Sequence, residues 1–154
     1  MKAITLWEPW ASLMAIGAKV NETRGVRTSH RGDICIHAAQ ADHGVPDSIY
    51  ERVLDLFSDP KNRPIPDEVD MGCILAVVEL WDVQPSEMFV VVEERKPYIT
   101  ISEDEFKFGN YLRGRWIYRT RNLRRLKTPV ACRGAQSIGW TVPPDVEAKV
   151  RAQL

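Results

Sequence analysis

The chain is expected to fold as a single α+β domain, residues 1–154, around a curled antiparallel or mixed sheet. Three observations lead there. Candidate strands outnumber candidate helices, the two kinds of segment do not alternate regularly as a doubly wound sheet requires, and 154 residues supply one proper core with little left for another. No internal repeat is present.

Ala3 to Leu6 reads as a short apolar strand. Trp7-Glu8-Pro9-Trp10 then starts a helix, with Pro9 at the first helical position, where a missing N–H costs nothing. Leu13, Met14 and Ile16 point inward, and Gly17 fits the left-handed residue that closes a helix. Val20 to Arg24 is extended, a short basic loop follows, and Gly32 to Ala38 is a nearly continuous apolar run typical of a buried strand. Asp47 or Ser48 caps a helix running to about Phe57, with Ile49, Val53, Leu56 and Phe57 at helical spacing. Pro60, Pro64 and Pro66 make 59–70 a surface loop.

Gly72 to Val83 is a long strand rich in β-branched residues, with Glu79 as its one charged interior member. Ser86 to Tyr98 is compatible with helix or strand. Ser102-Glu103-Asp104-Glu105 has capping-box spacing and opens a short helical turn before Gly109. Arg115 to Thr120, Asn122 to Leu126 and Ser137 to Val142 read as strands, and Pro144 to Leu154 as a terminal helix.

Lysine plus arginine (21) equals aspartate plus glutamate (21), so no global field draws the chain to nucleic acid or to an anionic membrane. Cys35, Cys73 and Cys132 are odd in number and widely spaced, against both a disulfide framework and a zinc site of the CxxC type. No apolar run approaches the ~18 residues a membrane span needs, and the N-terminus lacks a signal-peptide pattern. A soluble cytoplasmic protein in a reducing compartment is expected, with no membrane partner.

Charge is nevertheless uneven. Between Gly109 and Pro144 there is no acid, yet Arg113, Arg115, Arg119, Arg121, Arg124, Arg125, Lys127 and Arg133 fall there. Arginine forks suit phosphates and base edges, and the interleaved Tyr111, Trp116 and Tyr118 offer stacking faces. The bland alternative is a solvated face whose aromatics turn to the core. Acids concentrated from Asp67 to Glu105 are available to pair with these arginines.

The most informative stretch is Gly17-Ala18-Lys19-Val20-Asn21-Glu22-Thr23-Arg24, which sets cation, anion and cation just after a helix stop. In an extended segment Glu22 and Arg24 share a face and Lys19 faces away; a bend at the strand's start gathers all three. Such a cluster can hold a phosphate, orient a polar base edge, or place a nucleophile beside a base. A surface ion-pair network is the plain alternative. Other chemistry lacks support. His30, His37 and His43 have no HxxxH spacing, so no metal is expected; no Cys adjoins a His; Ser137 has no GxSxG context. His37, ending a buried strand, fits a satisfied core histidine. Arg27, His30 and Arg31 form a basic loop suited to rim contacts with a phosphate backbone, and the Arg133 to Ser137 turn is either backbone lining the binding cleft or an ordinary hairpin connection.

In order, LWEPWASLMAIGAKVNETR, RGDICIHAA, GCILAVVELWDV, FGNYLRGRWIYR and LKTPVACRGAQSIGW resemble the ASCH family of the PUA-like superfamily over almost the whole chain. The most diagnostic element is GxKxxExR, here Gly17, Lys19, Glu22 and Arg24. The resemblance implies a small β-barrel with peripheral helices and a cleft beside the first helix, with Trp7, Pro9 and Trp10 at one wall and Lys19, Glu22 and Arg24 at the floor. It also implies contact with RNA or another nucleic acid, no cofactor, and in some members hydrolysis of acetylated cytidine or of RNA. In the amidohydrolases of this kind a threonine nucleophile follows the lysine by three residues, and a later strand adds a glutamate. Here the third residue after Lys19 is Glu22, Thr23 falls one place late, and Glu79 is the candidate strand glutamate.

Three functions follow. The first is a module binding RNA, a nucleotide or a modified nucleoside through Trp7, Pro9, Trp10, Lys19, Glu22 and Arg24, with Arg27, Arg31, Arg115 and Arg133 as further contacts. The second is a metal-independent hydrolase of a modified nucleoside or of RNA, with Lys19, Glu22, Thr23 and Glu79 carrying the chemistry. The third is a non-enzymatic protein-binding adaptor.

Overall fold

The computed structural model describes residues 1–41, 44–62, 71–89 and 101–154. Strand β1 (Lys2–Leu6) runs into helix α1 (Trp10–Ala15), followed by β2 (Asn21–Arg24), β3 (Gly32–Ala38) and α2 (Tyr50–Ser58). After these come β4 (Cys73–Pro85), α3 (Glu103–Lys107), β5 (Trp116–Ala131), β6 (Trp140–Thr141) and α4 (Pro144–Arg151). The strands form one sheet in the order β2-β5-β4-β3-β1-β6. Only β1 and β3 pair in parallel, so the sheet is mixed, and it curls into a half-barrel with helices at its margins.

The curl comes from β4 and β5. Leu75 has no partner in either neighbouring ladder, and the β4–β5 register slips again beside Trp81 and beside Asn122, whose φ is 52°. The slips at Trp81 and Asn122 each add one residue to one strand, the slip opposite Leu75 leaves a longer excess on β5, and all bend the strand that carries the extra length. Arg121 therefore does not separate two strands, as the sequence pattern predicts; one 16-residue strand bends there instead.

Both faces of the sheet are covered, which is why β3 is apolar along its length. Ile34, Ile36 and Ala38 join Ile4, Leu6, Met14, Leu80 and Tyr118 inside the curl. Cys35 points the other way, to Ala3, Val77, Leu126 and the α4 residues Val146 and Val150. A third cluster joins Leu13 of α1 to Ile49, Val53 and Phe108, with Leu56 and Phe57 packed against it, as the helical spacing of α2 requires.

Several boundaries differ from expectation. Pro9 caps α1 rather than beginning it: its carbonyl accepts from Leu13 N (2.9 Å), but its own φ and ψ of −87° and 2° are not helical. Asp47 and Ser48 lie in a 3₁₀ turn leading into α2, and neither side chain caps the helix. The Ser137 to Val142 strand contracts to β6, because Gly139, at φ 68°, turns the chain just before Trp140. Ser86–Phe89 is a 3₁₀ turn, as is Pro60–Asn62. Val90 to Tyr98, most of the 59–70 loop and His43 lie outside the described residues. Ser102 caps α3 as expected, its hydroxyl accepting from Glu105 N at 3.1 Å.

Candidate functional site

Gly17 ends α1 at φ 77°, and the turn is closed by Gly17 N to Met14 O and Lys19 N to Leu13 O. That bend precedes β2, so Lys19 enters the interior instead of alternating outward. It is 2% exposed, its Nζ donates to the Asn21 carbonyl, and Glu22 Oε2 lies 3.4 Å away. On the other side Glu22 Oε1 is 3.1 Å from Arg24 Nε. The three charges thus converge, with one carboxylate between two cations. Arg24 reaches further: its Nη2 donates to Thr5 O at 2.6 Å, tying edge strand β2 to the end of β1 across the open side of the half-barrel.

Above this triad lies a cleft of about 680 Å³, within the ~300–1,000 Å³ usual for small-ligand sites. Glu22, Thr23 and Arg24 line its floor, and Trp7 and Trp10 form one wall. Trp7 is 52% exposed, whereas Trp10 is half-buried against the α1–α2 cluster. Lys107, Phe108, Gly109 and Asn110 add a second wall, and Thr5, Gln136 and Arg115 complete the lining. Thr23 and Glu22 both border the cleft although neighbours in a strand alternate, because β2 is an edge strand and the 107–110 segment folds against it. The Thr23 hydroxyl accepts from Asn110 N at 3.3 Å, and its carbonyl accepts from Arg115 Nη2 at 2.9 Å.

The second wall hangs on Glu105, which is buried. Its carboxylate accepts from Val20 N (2.6 Å), Asn21 N (2.9 Å) and the Tyr111 hydroxyl (2.8 Å). Burial first, and then the Glu105 charge, push the Tyr111 phenol far above its usual range, so it remains a hydrogen-bond donor. The Tyr111 ring folds back over Gly109 so closely that a Cβ there would lie 2.3 Å from Cε2. A side chain at that position would displace the Tyr111 ring and with it the bond to Glu105. The Ser102 to Glu105 capping signal is local, whereas the turn of its glutamate toward β2 has no sequence signature, and the FGNYLRG run that forms the wall carries meaning only within the family resemblance.

The remaining predicted residues fall outside the cleft lining. Lys19 lies beneath the floor, and Pro9 is buried behind the tryptophan wall. Arg27 stacks on Trp116 at 5.3 Å, and Arg31 donates to Thr28 O and His30 O of its own loop. Arg133 is exposed beyond the rim. Glu79 is corrected most clearly: its carboxylate accepts from Arg121 (2.7 and 3.0 Å) and Asn122 (2.6 Å) in the β4–β5 ladder, away from the cleft. Those bonds, Arg121 first, hold it below the usual carboxylate range. Local register decides this, since Glu79 lies on β4, paired with Arg121 and Asp33, while β2 flanks the other edge of β5 and its ladder ends at Arg119.

His37 is a core residue. Its Nε2 donates to Cys132 O at 2.9 Å, its ring meets Trp140 edge-on at 5.5 Å, and a Cβ on Gly134 would fall 2.3 Å from Cε1. Burial lowers its pKa from 6.5, the bond to Cys132 opposing that only in part. Among the described residues no three His, Cys, Asp or Glu side chains converge as a metal-ligand set, and no helix is long and apolar enough to cross a membrane.

A mixed half-barrel with peripheral helices and a charged cleft beside its first helix defines an α+β domain of the PUA-like class. The ASCH domain family model matches residues 4–126, and the chain belongs to that family. Among solved structures it resembles ASCH from Zymomonas mobilis, at 15% identity and a TM-score of 0.54 over 98% of this chain and 93% of that one. A tyrosine-to-phenylalanine mutant of the Zymomonas mobilis protein gives 13% identity and a TM-score of 0.53, covering 98% and 96%. No curated protein matches the chain.

Proposed function

We propose that the cleft binds RNA, a nucleotide or a modified nucleoside. One observation carries this reading: an exposed Trp7 indole stands in the same cleft as a carboxylate flanked by two cations. An indole face stacks on any base, while Glu22 accepts from an amino or imino N–H and Arg24 donates to a carbonyl or phosphate oxygen. Lys19 and the Arg24 bond to Thr5 O hold Glu22 and Arg24 in place before a ligand arrives, which limits the ordering cost of binding. Arg27, Arg31 and Arg133 lie further out, where they would contact only a longer strand.

Titration of short single-stranded RNAs and nucleosides against tryptophan fluorescence tests the reading. Trp7→Ala is expected to weaken binding by about tenfold or more, since stacking contributes ~1–3 kcal/mol per base, and to leave the melting temperature nearly unchanged. Absence of saturable binding to any RNA or nucleoside at micromolar concentration would refute it and move the adaptor reading ahead.

A hydrolase reading draws on the same floor, because Thr23 borders the cleft beside Glu22 with the Lys19 amine beneath. In that case Lys19, Glu22 and Thr23 carry the chemistry and Glu79 does not. Turnover of acetylated cytidine by the native chain, abolished in Lys19→Ala with the fold intact, is the result that selects it.

A further inference from the structure

Arg115, just before β5, differs from the three β5 arginines that form ion pairs. Arg119, Arg121 and Arg124 each meet a carboxylate, from Asp82, Glu79 and Asp33. Arg115, at the start of the same run, has no acidic partner among the described residues. Among the described residues its one side-chain hydrogen bond runs from Nη2 to Thr23 O, its Nε is buried without an acceptor, and its Nη1 has no acceptor. Arg24 is similar at its tip: Nη2 is committed to Thr5 O and Nε faces Glu22, leaving Nη1 without an acceptor among the described residues.

The local charge is therefore positive. Glu22 is shared by Lys19 and Arg24, and Lys107, which also lines the cleft, has its own partner in Glu103 at 2.7 Å. Counted against Glu22 and the buried Glu105 carboxylate behind the second wall, Lys19, Arg24 and Arg115 leave one cation in excess. An anion is repelled by Glu22 at the Lys19 end, so its place is the Arg115 end, while a base edge that donates N–H fits against Glu22. The planar guanidinium fork matches phosphate geometry.

We propose that Arg115, assisted by Arg24, seats a phosphate, so that the ligand of this cleft is a phosphorylated nucleotide unit rather than a neutral nucleoside. This rests on the nucleotide reading of the cleft and narrows its ligand class. The phosphate belongs either to a free mononucleotide or to an RNA strand.

Calorimetric titration separates these sources, using the four ribonucleosides, their 5′- and 3′-monophosphates, and a single-stranded RNA pentamer against the native chain, Arg115→Gln and Arg115→Lys. The expected result is that phosphorylated probes bind about tenfold or more tighter than nucleosides. Arg115→Gln removes that margin without abolishing nucleoside binding, and Arg115→Lys, a point charge without a fork, restores it in part. A margin seen with the pentamer but not with monophosphates, and lost in Arg115→Gln, assigns the seat to a strand phosphate. Nucleosides binding as tightly as monophosphates and the pentamer would overturn this proposal while leaving the cleft a nucleoside site. No binding by any probe would end both readings. If Arg115→Gln fails to fold for want of its bond to Thr23, the native margin and Arg115→Lys decide alone.

Discussion

Two buried ionisable side chains, Lys19 and His37, show how residue type depends on placement. Lys19 is tolerated at 2% exposure because a carbonyl and a carboxylate take its charge; removing either leaves a buried ammonium uncompensated. His37 solves the opposite problem by remaining neutral, with Nε2–H on Cys132 O and Nδ1 buried without a partner. Its folded pKa lies below the usual 6.5, so at mildly acid pH the unfolded chain takes up a proton that the folded chain resists. Its contribution to stability is complete above about pH 6.5, falls as pH drops through that value, and levels off below the folded pKa. Thermal melting between pH 7.5 and 5 should therefore show a steeper loss for the native chain than for His37→Gln. Parallel profiles for the two proteins would contradict the assignment.

At the scale of elements, the cleft depends on how α3 is attached. α3 has five residues, too few to persist in isolation, and what fixes it is the Ser102 cap and the three bonds to the Glu105 carboxylate. Glu105→Gln keeps the shape but sets an amide NH₂ against donors, so at least one of Val20 N–H, Asn21 N–H and Tyr111 O–H loses its acceptor. A loss of about 1–3 kcal/mol is expected, with faster amide exchange at Val20 and Asn21 and weaker ligand binding because the second wall loosens. Unchanged exchange at those two amides would show that the wall is held by something else. Local signals made much of this scale legible: Gly17, the β3 apolar run, the Ser102 cap and the proline start of α4 are all decided by neighbours within a few residues. What stayed hidden is non-local. No local pattern tells that Glu105 bonds to residues 84 and 85 positions earlier, or that Arg24 reaches Thr5. The bends at Leu75, Trp81 and Asn122 likewise exist only in strand register.

For the whole molecule, the question is whether a neutral protein can hold a polyanion. The acid-free window from Gly109 to Pro144 reads as a basic surface in one dimension, but folding sets acids from β3 and β4 beside it. Asp33, Glu79 and Asp82 neutralise Arg124, Arg121 and Arg119, and Trp81 stacks under Arg119 at 4.1 Å. Where these three pairs form, the sheet has little field to offer a phosphate backbone, and the uncompensated cations left at the cleft are few. Binding that relies on them should release few counterions. With about two phosphates neutralised, the slope of log K against log salt for a single strand should be near −1.4, far shallower than for proteins that track a backbone along a basic groove. Arg121→Gln combined with Arg124→Gln should leave both affinity and slope unaltered, whereas Arg24→Ala should lower affinity and flatten the slope. A steep slope that the outer-face double variant abolishes would place the strand across β4 and β5 instead, with the cleft reduced to a bystander.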